Sequence, residues 1–263
     1  MLLIKADSLT KKYGALTAVS NLNLRISPGE VFGFLGPNGA GKTTTIRMLV
    51  GLLSPTSGSA EICGINVYQD PIKAKSMIGF VPDTPDLYEK LSAREFLEFV
   101  ADLRKIDSQT AAGRIDNLLG LFDLANRQDE LLGGYSHGMR QKICIAAALI
   151  GKPKVLFLDE PTVGLDPRSA RLVKDILREF ADEGGTVFCS THILEIAEKM
   201  CDRVGIIQKG RLIAEGSVEE LRHKSLSSEG AEDKTLEDLF LELTGGEEHT
   251  ELIRHLGNSE KAR

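Results

Sequence analysis

Apolar and polar positions alternate in short stretches near the start of the chain, most clearly in Ala18-Val-Ser-Asn-Leu-Asn-Leu-Arg-Ile26. Leu2–Ile26 is therefore predicted to form antiparallel strands. A Pro28-Gly29 turn follows. Val31-Phe-Gly-Phe-Leu35 has no polar face, as a short strand buried on both sides requires. A glycine-rich loop then leads into an apolar helix from Lys42 to about Leu52.

Farther along, the period becomes helical. Ser92-Ala-Arg-Glu95 has the spacing of a capping box, with Phe96, Phe99, Val100 and Leu103 behind it at helical intervals. Further helices are predicted over Ser108–Phe122 and Ser136–Ile150, which makes residues 85–150 a helical subdomain inserted into a strand–helix alternation. Alternation resumes with a strand at Val155–Leu158, then a helix opened by Asp166-Pro167 and closed at Gly184-Gly185. A strand at Thr186–Ser190, a helix at His192–Met200 and a last strand at Arg203–Ile207 follow. Thr235 is placed to cap a short helix with Leu236, Leu239, Phe240 and Leu243 on one face, and the polar stretch after Gly245-Gly246 reads as a mobile tail. The predicted fold is α/β, with an antiparallel β-subdomain and an inserted α-helical subdomain in a body of residues 1–224, and an appended tail over 225–263.

Composition narrows the picture. At 263 residues, 42% apolar and 27% charged, the chain suits one large globular domain with a subdomain or tail. No apolar run approaches the roughly 18 residues a membrane span needs, and no signal peptide is evident at Met1-Leu-Leu-Ile-Lys5. A cytoplasmic location is expected. Cys63, Cys144, Cys189 and Cys201 form no C-x-x-C pair and sit in apolar stretches, so buried free thiols are expected. The net charge of −6 lies entirely in Ser225–Arg263, with ten acidic and four basic residues, and the remainder is neutral. A neutral body argues against nucleic acid as a partner and against direct lipid binding.

Three segments carry chemistry. Gly36-Pro37-Asn38-Gly39-Ala40-Gly41-Lys42-Thr43 fits G-x-x-x-x-G-K-[ST] between a strand and a helix, the context a phosphate-binding loop needs. Its backbone N–H groups and the helix N-terminus suit phosphate, Lys42 suits the β and γ phosphates, and Thr43, followed by Thr44, suits Mg²⁺. Val155-Leu-Phe-Leu-Asp159-Glu160 is an apolar strand ending in two carboxylates, with Asp159 a candidate for Mg²⁺ and Glu160 for the attacking water. His192 follows a third strand, so all three segments can converge at strand carboxyl ends.

With Gly164-Leu165-Asp166, Ser190-Thr191-His192 and Tyr135-Ser136-His137-Gly138-Met139-Arg140-Gln141, these motifs in this order resemble the ABC (ATP-binding cassette) ATPases over roughly residues 1–220. The resemblance implies a P-loop NTPase core that hydrolyses ATP with Mg²⁺ and drives a separate transmembrane permease, held peripherally on the inner membrane face. It implies that Tyr13 stacks on adenine, and that Ser136, Gly138 and Asp166 act in trans on ATP held by a second nucleotide-binding subunit, identical or not. Two positions depart from the family pattern. The signature is Tyr-Ser-His-Gly-Met rather than Leu-Ser-Gly-Gly-Gln, and Asp83 replaces the Q-loop glutamine as a shorter, anionic candidate near Mg²⁺. The Tyr-Ser-x-Gly-Met signature and the ending Leu236–Gly245 resemble the subgroup serving ABC-2 type exporters.

The competing reading is a soluble ABC ATPase acting on ribosomes or chromosomes. A single P-loop and only 117 positions between Lys42 and Asp159 argue against it. A regulatory module without turnover would be expected to lack Glu160 or His192, and a GTPase would be expected to carry Asn-Lys-x-Asp.

Overall fold

The computed structural model describes residues 2–225 and 240–241. Two sheets form. β1 (Ile4–Tyr13), β2 (Leu16–Ile26), β4 (Ser57–Ile62) and β5 (Ile65–Asn66) make an antiparallel sheet in the order β2-β1-β4-β5. The second sheet has the order β10-β9-β3-β8-β7-β6, from β3 (Val31–Leu35), β6 (Ile78–Val81), β7 (Val155–Asp159), β8 (Thr186–Thr191), β9 (Arg203–Gln208) and β10 (Arg211–Ser217). Every pairing in it is parallel except the edge pair β9–β10.

Strict alternation along the buried strands divides the core in two. Phe32, Phe34, Phe157 and Phe188 face the antiparallel sheet and α1 (Lys42–Leu49). Leu35, Leu156, Leu158, Val187 and Cys189 face the helical layer, which includes α5 (His137–Leu149) and α6 (Pro167–Asp182). Phe188 lies at the centre of the first layer, with ring centroids 5.6, 5.3 and 5.4 Å from Phe32, Phe34 and Phe157.

The helices begin where capping chemistry allows. In α3 (Ala93–Leu103) the Ser92 hydroxyl accepts from Glu95 N–H at 3.2 Å and the Glu95 carboxylate accepts from Ser92 N–H at 2.8 Å, so the capping box forms as predicted. Asp166 caps α6, accepting from Ser169 N–H at 3.0 Å with Pro167 at the first helical position. With α4 (Ser108–Leu121), α3 and α5 lie between β6 and β7, and Arg104 ties the group back by donating to the Ile78 carbonyl at 2.8 Å.

Several expectations need correction. The P-loop helix stops at Leu49, short of Leu52, and the helix after His192 begins at Leu194. Arg203–Ile207 is not the last strand. Lys209 and Gly210, with φ of +47° and +77°, form a tight turn into β10, and α8 (Val218–Ser225) follows. The strands β4, β5 and β6 and the helix α2 (Pro71–Ser76), capped by Asp70, were also unpredicted. β4 shows only Ala60 and Ile62 as buried apolar residues, and it is a strand because β1 offers it a free edge. Of the four free cysteines, Cys63 is only half-buried. Burial pushes the Cys144 and Cys201 thiols up to about 12. The helix expected from Thr235 lies outside the described residues except for Phe240–Leu241, which are helical, with Phe240 packed against the helical-layer core.

Phe188→Ala should remove the ring all three neighbours share. A loss of about 3–5 kcal/mol is expected in denaturant unfolding, far beyond a surface substitution. An unchanged unfolding midpoint would refute the central role of this ring.

Candidate functional site

Parallel pairing decides which side chains meet. β8 sits between β3 and β7, with Leu35 opposite Thr191 and Asp159 opposite Ser190. The segments leaving these strands at their carboxyl ends are therefore neighbours: the P-loop from β3, Glu160 from β7 and His192 from β8. β6 completes the edge and delivers Asp83 through Pro82.

The P-loop is packed closely from behind. A Cβ on Gly36 would lie 2.4 Å from the Ile207 carbonyl oxygen. Gly41, the residue before α1, has φ of +111°, and a Cβ there would lie 2.6 Å from the Ala18 carbonyl oxygen. The loop thus needs glycine for both space and conformation, and its far side stays open as a concave lining. Lys42, nearly buried, donates to the Gly36 carbonyl at 2.8 Å. Burial pulls the Lys42 ammonium below its ordinary pKa, while the Glu160 and Asp159 carboxylates push it back up.

The carboxylates differ in setting. Asp159 is buried and accepts from the Ser190 hydroxyl, whose oxygen in turn accepts from Glu160 N–H at 3.3 Å. Glu160 has φ of +52°, the left-handed region, although Pro161 follows it. A non-glycine residue there carries strain of order 1–3 kcal/mol and persists only when its surroundings hold it. Its Oε1 lies 2.8 Å from His192 Nδ1 and 3.9 Å from Lys42 Nζ. Its Oε2 is shielded from solvent and has no hydrogen-bond partner among the described residues.

A cleft of about 380 Å³ is lined by Tyr13, Asn38, Gly39, Gly41, Lys42, Thr43, Thr44, Asp83, Asp159 and Glu160, and His192 is not among its lining but is hydrogen-bonded to Glu160. Tyr13, half-exposed at the β1–β2 turn, carries the Lys11 ammonium 5.2 Å from its ring centre. Gly36 and Ala40 support the loop from inside, and Pro37 lies at its exposed shoulder. Asp83, Asp159 and Glu160 share the cleft, yet among the described residues no three His, Cys, Asp or Glu side chains converge to hold a metal.

Ser136, Gly138 and Asp166 do not line this cleft. Ser136 is exposed and caps α5, its hydroxyl accepting from Met139 N–H at 3.3 Å. Gly138 packs on Leu165, and the His137 ring lies against Gly164, where a Cβ would come within 2.6 Å of it. Sequence reasoning assigned no role to Ser190, which joins Asp159 to Glu160. Its signal was its place two residues before His192, on the strand beside Asp159.

Comparisons with known proteins identify the family and the fold. A family profile described as "ABC transporter" matches residues 19–163. The chain is 42% identical over 219 residues to the daunorubicin resistance ATP-binding protein DrrA3 of Streptomyces coeruleorubidus, covering 83% of this chain and 69% of that protein. It is 41% identical to the bacitracin transport ATP-binding protein BcrA of Bacillus licheniformis, covering 85% and 72%. It is also 36% identical to the ABC-type transporter ATP-binding protein EcsA of Bacillus subtilis (strain 168), covering 93% and 97%. A solved ATP-binding subunit of an ABC transporter superposes with a TM-score of 0.85 at 31% identity, covering 92% of this chain and 99% of that one. A dimeric ATP-binding cassette in a post-hydrolysis state with ADP and Pi gives 0.76 at 27% identity, covering 81% and 98%. The chain belongs to the ABC transporter ATP-binding family and is an ATPase of that family.

Proposed function

We propose that this ATPase energises export through a separate permease, and that Glu160 is its catalytic carboxylate. The observation that carries the catalytic part is the meeting of Lys42, Glu160 and His192 at one carboxylate oxygen of a residue that lines the P-loop cleft. Support for export comes from relatives named for daunorubicin resistance, bacitracin transport and Nod factor export. With the Tyr135-Ser-x-Gly-Met139 signature, these names support the ABC-2 type exporter subgroup. In this reading residues 1–224 are the cassette and 225–263 an acidic appendage.

The residues present fit Mg-ATP. The glycine cradle of the P-loop and the α1 N-terminus supply backbone N–H groups for phosphate, and Lys42 supplies a buried cation. Thr43 and Asp159 would hold Mg²⁺, an ion that keeps few protein ligands, with Asp83 lining the same cleft. Bound there, Mg²⁺ would supply positive charge against the negative charge that develops on phosphoryl transfer. Tyr13 offers the adenine its ring face.

The proton work falls to the chain itself. His192 holds Oε1 of Glu160 in the cleft that the P-loop also lines, so the Glu160 carboxylate is the group that orients water and accepts its proton. Ser190 holds Asp159 and the Glu160 backbone in fixed relation. Ser136, Gly138 and Asp166 lie away from the chain's own cleft, which supports their use on ATP held by a second cassette, identical or not.

A docking face for the permease lies on the helical side. Leu52, Phe80, Val100 and Arg104 line an apolar cleft of about 290 Å³, flanked by exposed Tyr88, Phe99 and Leu103. Its volume and apolar lining suit one or two apolar side chains presented by a cytoplasmic segment of the permease. No helix among the described residues is long and apolar enough to cross a membrane, so a permease is the attachment this reading requires.

Glu160→Gln should bind ATP within a few-fold of wild type and lose about 10²-fold or more of hydrolysis. Steady-state ATPase activity near wild type would remove Glu160 from the mechanism. Leu103→Glu, at a position 67% exposed, should leave the isolated subunit's ATPase unchanged and abolish its co-purification with the permease. Undiminished co-purification would place the docking face elsewhere.

A further inference from the structure

A strained turn and one buried side chain meet one residue beyond Glu160, and three observations describe them. The first is the strained turn itself, with Glu160 left-handed immediately before a proline. The second is Gln141, a side chain 1% exposed on α5, whose Nε2 donates to the Pro161 carbonyl at 3.4 Å. The third is Gln141 Oε1, buried and without a hydrogen-bond partner among the described residues. An amide held with one end bonded and the other orphaned costs stability. Its position therefore calls for an explanation other than stability.

We propose that Gln141 is a positioning residue for Glu160: by pinning the Pro161 carbonyl it holds the left-handed turn that aims the carboxylate at the P-loop, and it ties that turn to the helix carrying Ser136. The backbone on the other side of Glu160 is already fixed, because its N–H donates to the Ser190 carbonyl at 3.2 Å and to the Ser190 hydroxyl at 3.3 Å. A turn is determined only when both flanks are held, and Gln141 holds the second.

The rest of the α5 face continues the contact. His137, Gly138 and Gln141 fall at positions i, i+1 and i+4 of the helix, on the side that follows the chain from Pro161 to Leu165. The His137 ring fills the space over Gly164, and Gly138 lets Leu165 approach, with 3.4 Å from its Cδ2 to a Cβ placed there. The first turns of α5 and the segment leaving Glu160 thus form one packed unit. A displacement of Ser136 at the exposed end of α5 is transmitted to Glu160 at the other. In the proposed dimer Ser136 serves one ATP and Glu160 the other, so this unit couples the two.

The inference rests on the catalytic reading of Glu160, and the test separates the two. Gln141→Met keeps length and helix compatibility while removing both the donor and the orphaned acceptor. In thermal unfolding, losing the bond to Pro161 and losing the orphan oppose each other, so Tm should stay within about 3 °C of wild type. The kcat should fall at least about tenfold, with KM and the dissociation constant for ATP within about twofold, because only the orientation of Glu160 changes. A kcat within twofold of wild type overturns the proposal. So does a variant that unfolds, or whose Tm drops by many degrees along with activity, since Gln141 would then be a structural residue. Glu160→Gln, measured beside it, identifies the other failure: if that variant keeps full activity, the catalytic reading itself is at fault.

Discussion

The parallel registration of β3, β8 and β7 is the constraint on which the molecule depends. With Leu35 beside Thr191 and Ser190 beside Asp159, three loops must emerge from adjacent strand ends. That registration brings residues 36–43, 159–160 and 192 together although 117 positions separate Lys42 from Asp159. The phenylalanine layer centred on Phe188 holds those strands against the antiparallel sheet. Core packing and site geometry are thus the same interaction seen from two ends of the sheet.

Electrostatics explain why the site must be assembled with such closeness. A nearly buried Lys42 is costly as a cation, and two carboxylates nearby offset part of that cost. Glu160 is held by backbone hydrogen bonds on one side and by Gln141 acting through Pro161 on the other. Strain at Glu160 is local and the elements that sustain it are distributed, as expected where orientation matters more than stability.

Much of this was legible in the chain itself, and the limits are physical. The P-loop, the Asp159-Glu160 pair and the capping box at Ser92 declare themselves because each is a local pattern with a local cause. β4 and β6 did not, because a strand whose partner is remote need not show clean alternation. The turn at Lys209-Gly210 carried a readable signal, a glycine between two apolar runs, and it predicts the hairpin that was missed. Ser190 and Gln141 belong to a different class. Both lie inside recognisable motifs, but their roles depend on contacts with Asp159 and Pro161, about 20 to 31 positions distant, which no spacing rule reveals.

One chain supplies a phosphate cradle and a carboxylate at its cleft, with His192 hydrogen-bonded to that carboxylate, and it presents Ser136 elsewhere on an exposed helix end. The central claim is that this is half of a site, completed by a second cassette across the nucleotide. Light scattering on the Glu160→Gln variant, with and without Mg-ATP, tests it most directly. The account predicts a monomer without nucleotide and a dimer holding two ATP molecules with it. A protein that binds Mg-ATP at full affinity and remains a monomer at every concentration would contradict it.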